Sequence, residues 1–248
     1  MKSTFYKEYP CFERYHWWFS GRNQILDKLF SKYLPRHRSQ SILDVGSGSG
    51  DASRFLDRYG SVVSVERARE AFDALQKTNG CLRVRGDALH LPFQDESFSV
   101  ITALDVIEHL EEDADAVSEF WRACQKRGYL CVTVPAFMFL WGKQDVVSVH
   151  KRRYTLRRLK TLLEQGGFSV VKISYFNFFL FPPIAVIRML NRPFLRFAKG
   201  ETLRSDFTMT SPGLLNNFLA KLFGLESFWL QRGRFPFGVS IVCLAKKI

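Results

Sequence analysis

The stretch Ser41-Ile42-Leu43-Asp44-Val45-Gly46-Ser47-Gly48-Ser49-Gly50 decides the fold. Its first five residues form a short, mostly apolar run, the pattern of a buried parallel strand. The glycines that follow permit a tight turn and a close approach of the backbone to a ligand. Residues 51–59 continue with helical spacing. The order strand, glycine turn, helix places backbone N–H groups where a ligand can meet them.

Outward from that turn, the chain alternates. Residues 61–66, 82–86, 98–104, 128–134 and 168–175 read as further strands, and 239–245 as a seventh. Residues 68–77, 114–123 and 155–165 have helical spacing, the last closed by Gly166-Gly167. Strands alternating with helices mean a Rossmann-like α/β fold with a mostly parallel, doubly wound sheet. Right-handed crossovers leave few other topologies. The seventh strand has no crossover helix of its own, so it is expected to insert antiparallel.

Two segments lie outside this rhythm. Residues 1–40 are rich in aromatics and are expected to form a helical lid. Residues 177–238 are far too many for a hairpin loop. They contain two apolar stretches at helical spacing and are expected to form a cap inserted between the last two strands. The whole, 1–248, is expected to be one domain with a core at 41–176 and a last strand at 239–248.

Charge is uneven. The net charge is +12, yet residues 120–248 hold 21 Lys and Arg against 5 Asp and Glu, leaving 15 against 19 in the first part. Such asymmetry points to an anionic partner for the second half: an anionic small molecule, a lipid headgroup or nucleic acid. The five cysteines are scattered and form no Cys-x-x-Cys pair, which argues for reduced thiols in a cytoplasmic protein. The first ten residues lack the apolar core of a signal peptide, and no apolar run is long enough to span a membrane.

The glycine turn does not match a dinucleotide fingerprint. Gly46 and Gly48 fit it, but Asp51 stands where the third glycine belongs. Asp44, just beneath the turn, would repel a pyrophosphate and suits a cationic amino-acid group. That favours S-adenosylmethionine over NAD. Glu66 ends the second strand about 20 residues on, where an acid takes both hydroxyls of a ribose. Gly86-Asp87-Ala88 follows the third strand, where a carboxylate can meet an adenine amino group.

Together these residues, LPFQDESFSVITALDVIEHL and Gly166-Gly167-Phe168 resemble class I S-adenosylmethionine-dependent methyltransferases of the type 11 group. The likeness covers roughly residues 40–175. The flanks, Glu13-Arg14-Tyr15-His16-Trp17-Trp18-Phe19 with Arg22 and His150-Lys151-Arg152-Arg153-Tyr154-Thr155, resemble a bacterial and archaeal subgroup. The resemblance implies the strand order 3-2-1-4-5-7-6. It implies a cofactor site of Asp44, Gly46, Ser47, Gly48, Glu66, Arg67, Asp87, Ala88, Leu104 and Asp105, and Arg22 would then reach the cofactor carboxylate.

Acceptors in such sheets bind beyond the carboxyl ends of the strands. Methyl transfer is an in-line displacement on an already activated methyl, so alignment is the main requirement, with a base where the acceptor carries a proton. His150, His109 and Tyr154 are the catalytic candidates. His16, Trp17, Trp141, Arg152 and Arg153 are the acceptor-binding candidates. Asp105-x-x-Glu108-His109 with His150 resembles the metal quartet of some small-RNA and ubiquinone-pathway O-methyltransferases. Its first acid is one carbon short and it offers few oxygen ligands for a hard cation, so no metal is expected. The expected activity is methyl transfer to oxygen or nitrogen of a small-molecule, glycan or lipid-precursor acceptor, anionic or amphiphilic, with peripheral contact at the inner membrane face left open. An RNA methyltransferase and a non-catalytic S-adenosylmethionine-binding protein remain as alternatives. No Asn/Asp-Pro-Pro-Tyr/Phe base-flipping motif follows the fourth strand, which makes nucleic acid the weaker reading.

Overall fold

The computed structural model describes residues 12–34, 40–75, 82–195, 206 and 212–248. Seven strands form one sheet: β1 (Gln40–Val45), β2 (Gly60–Glu66), β3 (Leu82–Arg85), β4 (Phe98–Leu104), β5 (Cys124–Pro135), β6 (Phe168–Phe176) and β7 (Ser240–Lys247). Their order is β3-β2-β1-β4-β5-β7-β6, as expected. β1 to β5 pair in parallel, while β7 runs antiparallel between β5 and β6. The sheet is therefore Rossmann-like and mostly parallel, with the topological switch between β1 and β4. Both neighbours of β1 are parallel strands with flanking helices, so Ile42, Leu43 and Val45 are buried on either face.

The helices are α1 (Trp17–Tyr33), α2 (Asp51–Leu56), α3 (Arg69–Leu75), α4 (Asp113–Ala123), α5 (Lys143–Val147), α6 (Leu156–Gln165), α7 (Phe181–Leu195) and α8 (Leu214–Leu230). Several ends carry clear signals. Thr155 caps α6 by accepting from the Arg158 N–H, and positive-φ Gly167 follows its end. α2 ends sooner than its periodicity suggests. β5 begins at Cys124, directly after α4, four residues earlier than its apolar run indicated. Gln125, Lys126 and Arg127 hide that start, and a register shift against β4 accompanies it. Positions 76 and 77 of the third expected helix lie outside the described residues, as do Cys11 and Cys81. Cys124, Cys131 and Cys243 are buried free thiols.

α1 is packed into the core rather than laid over it. Ile25, Leu26, Leu29 and Phe30 join the cluster formed by the strands. α8 fastens its start: the Asn216 side chain accepts from the Trp17 N–H at 2.8 Å and donates to the Tyr15 carbonyl at 2.8 Å. Phe223 of α8 lies edge-on to Trp17 and stacks on Phe176. It occupies the space where Gly21 has no side chain. The segment before β1 and the segment between β6 and β7 thus meet above the carboxyl ends of the strands.

Candidate functional site: two joined cavities

The glycine turn is a nest tied to the end of β2. Gly46 and Gly48 have φ of 65° and 55°, a region where L side chains are strained. A Cβ on Gly46 would also sit 2.7 Å from Val106 Cγ2. The Gly46 N–H donates to the Val65 carbonyl at 2.8 Å, and the Gly48 N–H donates to Glu66 Oε2 at 3.1 Å. The other Glu66 oxygen accepts from the Ala68 N–H at 2.8 Å. Burial raises the Glu66 pKa, while these N–H donors lower it.

Asp44 is buried beneath the turn. Its two oxygens accept from the Ser53 and Thr102 hydroxyls at 2.6 and 2.8 Å. Burial pushes its pKa up, opposed by those two hydrogen bonds. Each oxygen keeps a lone pair for a ligand. Glu13, on the chain before α1, accepts from the Ser49 N–H at 3.1 Å and from the Ser49 hydroxyl. Burial pushes it up to about 7. Arg22, nearly fully buried, donates to Asp105 Oδ2 at 2.9 Å and lies over the Trp18 ring.

These groups line a cavity of about 420 Å³. Among the residues expected at the cofactor, Asp44, Gly46, Ser47, Gly48, Glu66, Arg67, Asp87, Ala88, Leu104, Asp105 and Arg22 all face it. Asp87 accepts from the Leu89 N–H and pairs with Arg67 at 3.4 Å. A carboxylate at the end of β2, another after β3 and a glycine nest with an acid below fit an adenosine with an amino-acid tail. Among the described residues, the cations lining this cavity are Arg22, held by Asp105, and Arg67, held by Asp87.

A second cavity of about 370 Å³ adjoins the first. Asp105 and His109 line both. The second is walled by Trp17, Trp18, Ile184, Ile187 and Leu219, with the cations Lys143 and Arg188 among them. His16 also lines it; burial lowers its pKa to about 4. At its floor stands a polar group. His150 Nδ1 is 2.8 Å from Asp145 Oδ1, and its Nε2 faces Glu108 at 3.9 Å. The His109 and His150 rings meet edge-on with centroids 4.7 Å apart. Burial, and then neighbouring His150, push His109 down to about 3.

Other expectations need correcting. Tyr154 was expected at the reacting atoms, but it is fully buried and lines neither cavity. Its hydroxyl donates to Asp113 at 2.7 Å, and burial together with that carboxylate raises its pKa. Arg152 points outward to Asp113 at 3.0 Å and to Glu111. Trp141 lines neither cavity. Arg153 borders the second cavity, but its guanidinium is spent on Asp145, through two bonds of 2.8 and 2.9 Å, and on the Ala136 carbonyl. Burial would raise the Asp145 pKa; His150 and Arg153 hold it well below the usual carboxylate range.

Sequence reasoning missed Arg188, which lines the second cavity together with Lys143 and Arg153. It donates to the Leu140 carbonyl at 2.7 Å and lies 3.5 Å from Asp206. Its signal was a lone cation inside the apolar run Phe181-Pro182-Pro183-Ile184-Ala185-Val186-Ile187-Arg188-Met189-Leu190. Glu13 was also missed as a cofactor-side residue.

This sheet order and this site resemble those of class I S-adenosylmethionine-dependent methyltransferase domains, and the likeness supports S-adenosylmethionine as the cofactor. Residues 43–132 match the family described as Methyltransferase domain. The chain is 31% identical over 122 residues to a ubiquinone/menaquinone biosynthesis C-methyltransferase of Ruegeria sp., covering 45% of this chain and 49% of that protein. It is 27% identical over 173 residues to a protein of Mycolicibacterium smegmatis described as a probable S-adenosylmethionine-dependent methyltransferase, covering 65% and 63%. The chain thus spans less than two thirds of these relatives. A solved Thermotoga maritima structure, described as an S-adenosylmethionine-dependent methyltransferase and possible histamine N-methyltransferase, superposes with a TM-score of 0.61 at 19% identity, over 98% of both chains. That likeness establishes the fold.

Proposed function

We propose that the chain transfers a methyl group from S-adenosylmethionine in the first cavity to an oxygen or nitrogen of an acceptor seated in the second. One observation carries this reading: Asp105 and His109 line both cavities, so the two meet at these side chains. A sulfonium methyl leaving the first cavity there meets an atom presented from the second. The sulfur keeps the electron pair of the broken bond, the acceptor supplies the pair for the new one, and the acceptor proton leaves. His109 and His150 flank that point and are the groups placed to handle the proton.

The second cavity favours an amphiphilic, anionic acceptor of small-molecule, glycan or lipid-precursor type. Its walls are aromatic and aliphatic, while Arg188 and Lys143 supply positive charge. Arg188 stays cationic although burial lowers its pKa to about 10. The surface around the cap agrees with access from a membrane face. Val186, Met189 and Leu190 of α7 and Leu214, Phe218 and Trp229 of α8 are exposed, and among the described residues no helix is long and apolar enough to cross a membrane. The segment before β1 acts in this reading as a packed lid that closes the first cavity through Glu13 and Arg22.

The test is methyl transfer from labelled S-adenosylmethionine into polar-lipid, glycan and RNA extracts. Label in lipid or glycan, lost on Arg188→Ala, is expected. Label in RNA alone would overturn the acceptor class, and tight cofactor binding without turnover would favour a binding protein.

A further inference from the structure

Glu108 is an anomaly that methyl transfer alone does not explain. It is fully buried in the first turn after β4, and among the described residues no other residue hydrogen-bonds either carboxylate oxygen. An unpaired buried acid is costly and persists where something completes it. Its neighbours are two imidazoles. One atom each from Glu108, His109 and His150 lie within 4.8 Å of one another.

Both imidazoles are already oriented from behind. His150 uses Nδ1 on Asp145, which Arg153 in turn holds by two bonds. His109 bonds to the main chain of Ser148. Each ring thus has one nitrogen engaged by a supporting group and one left over. That is how metal-binding histidines are prepared: the outer hydrogen bond fixes tautomer and ring angle. Asp105 is no fourth ligand here, because Arg22 takes its carboxylate at 2.9 Å.

We propose that Glu108, His109 and His150 form a binding site for a divalent transition-metal ion, such as Zn²⁺, on the floor of the second cavity. Two nitrogens and one carboxylate suit Zn²⁺, Co²⁺ or Mn²⁺ better than Mg²⁺ or Ca²⁺, which require more oxygen ligands. Three protein ligands leave a coordination position open toward the cavity, where an acceptor oxygen or nitrogen enters. The ion would lower that atom's pKa in place of a protein base. This replaces the two histidines as proton acceptors in the proposed function with an ion that they hold, and rests on the second cavity being the acceptor site.

Chelator-treated protein is titrated by calorimetry with Zn²⁺, Co²⁺, Mn²⁺ and Mg²⁺ separately, and with S-adenosylhomocysteine. One Zn²⁺ or Co²⁺ per chain is expected, with visible absorption bands for the Co²⁺ form. Glu108→Gln and His150→Asn should each weaken binding by roughly tenfold or more. Using two variants guards against one of them misfolding, and far-ultraviolet circular dichroism checks both. S-adenosylhomocysteine should bind the variants as it binds the wild type. Absence of stoichiometric binding in the wild type, or equal binding in both folded variants, overturns the metal site. Failure of S-adenosylhomocysteine to bind would overturn the reading of the first cavity instead, and the ion result would stand.

Discussion

Glu66 shows how far a single side chain can be read from spacing. Its place at the end of β2 follows from the strand-helix-strand unit, whose length the sequence states. The same holds for Asp44 and Asp87, which sit at fixed offsets from strands. Tyr154, Arg152 and Arg153 behave differently. What they do depends on Asp113, Glu111 and Asp145, partners that no local spacing reveals. Glu66→Ala should weaken S-adenosylhomocysteine binding about 10- to 100-fold, the loss of charge-assisted bonds of roughly 1.5–3 kcal/mol, measured by calorimetry. Asp145→Asn should destabilise the fold by about 3 kcal/mol in urea unfolding, because it leaves buried Arg153 without its counter-charge.

Glu226 gives a pH prediction at the same scale. It is buried in α8 and accepts from the Phe178 and Phe179 N–H groups at 2.7 and 3.1 Å. Burial raises its pKa to about 7. An acid whose folded pKa lies above its unfolded one favours the protonated form when folded. The penalty is therefore absent at low pH, grows between the unfolded and folded values, and is complete above about pH 7. Glu226→Gln keeps an acceptor oxygen and removes the charge. Urea unfolding should show it near neutral at about pH 4 and roughly 2–3 kcal/mol more stable than wild type at about pH 8. An equal difference at both pH values would contradict the assignment.

At the scale of elements, periodicity located all seven strands, six of them mostly buried apolar runs and the other, β3, a short half-exposed strand at the sheet edge. The antiparallel β7 was legible because the segment before it reads as a cap and not as a crossover helix returning the chain for a parallel strand. The start of β5 was not, since its first turns are polar and exposed. The docking of α1 on α8 was also hidden, because it depends on a pair 202 residues apart in sequence, Gly21 and Phe223. A Cβ on Gly21 would fall 2.2 Å from the Phe223 ring. That ring is held by Phe176 and Trp17 and has little room to retreat. Gly21→Ala should therefore cost about 1–3 kcal/mol in unfolding free energy. It should also lower cofactor affinity, since α1 carries Arg22 into the first cavity.

At the scale of the molecule, the division of charge becomes a division of labour. The mildly acidic first part builds the cofactor cavity from carboxylates. The basic second part supplies Arg188, the cap and its exposed apolar side chains. Composition alone pointed to an anionic partner but not to where one would bind. Arg188, which lines the second cavity, lies outside the cluster after His150, whereas Arg153 of that cluster lines it too but is held by Asp145. If the cap meets a membrane, sedimentation with anionic vesicles should exceed that with zwitterionic ones and fall as salt rises through the range where the Debye length drops from about 10 to 3 Å.

The central claim is that the cavity around the glycine turn holds S-adenosylmethionine. Calorimetric titration of the full chain with S-adenosylhomocysteine and, separately, with NAD tests it most directly. The account predicts one S-adenosylhomocysteine per chain, binding that Glu66→Ala severely weakens, and no comparable heat from NAD. Saturable binding of NAD with none of S-adenosylhomocysteine would contradict it.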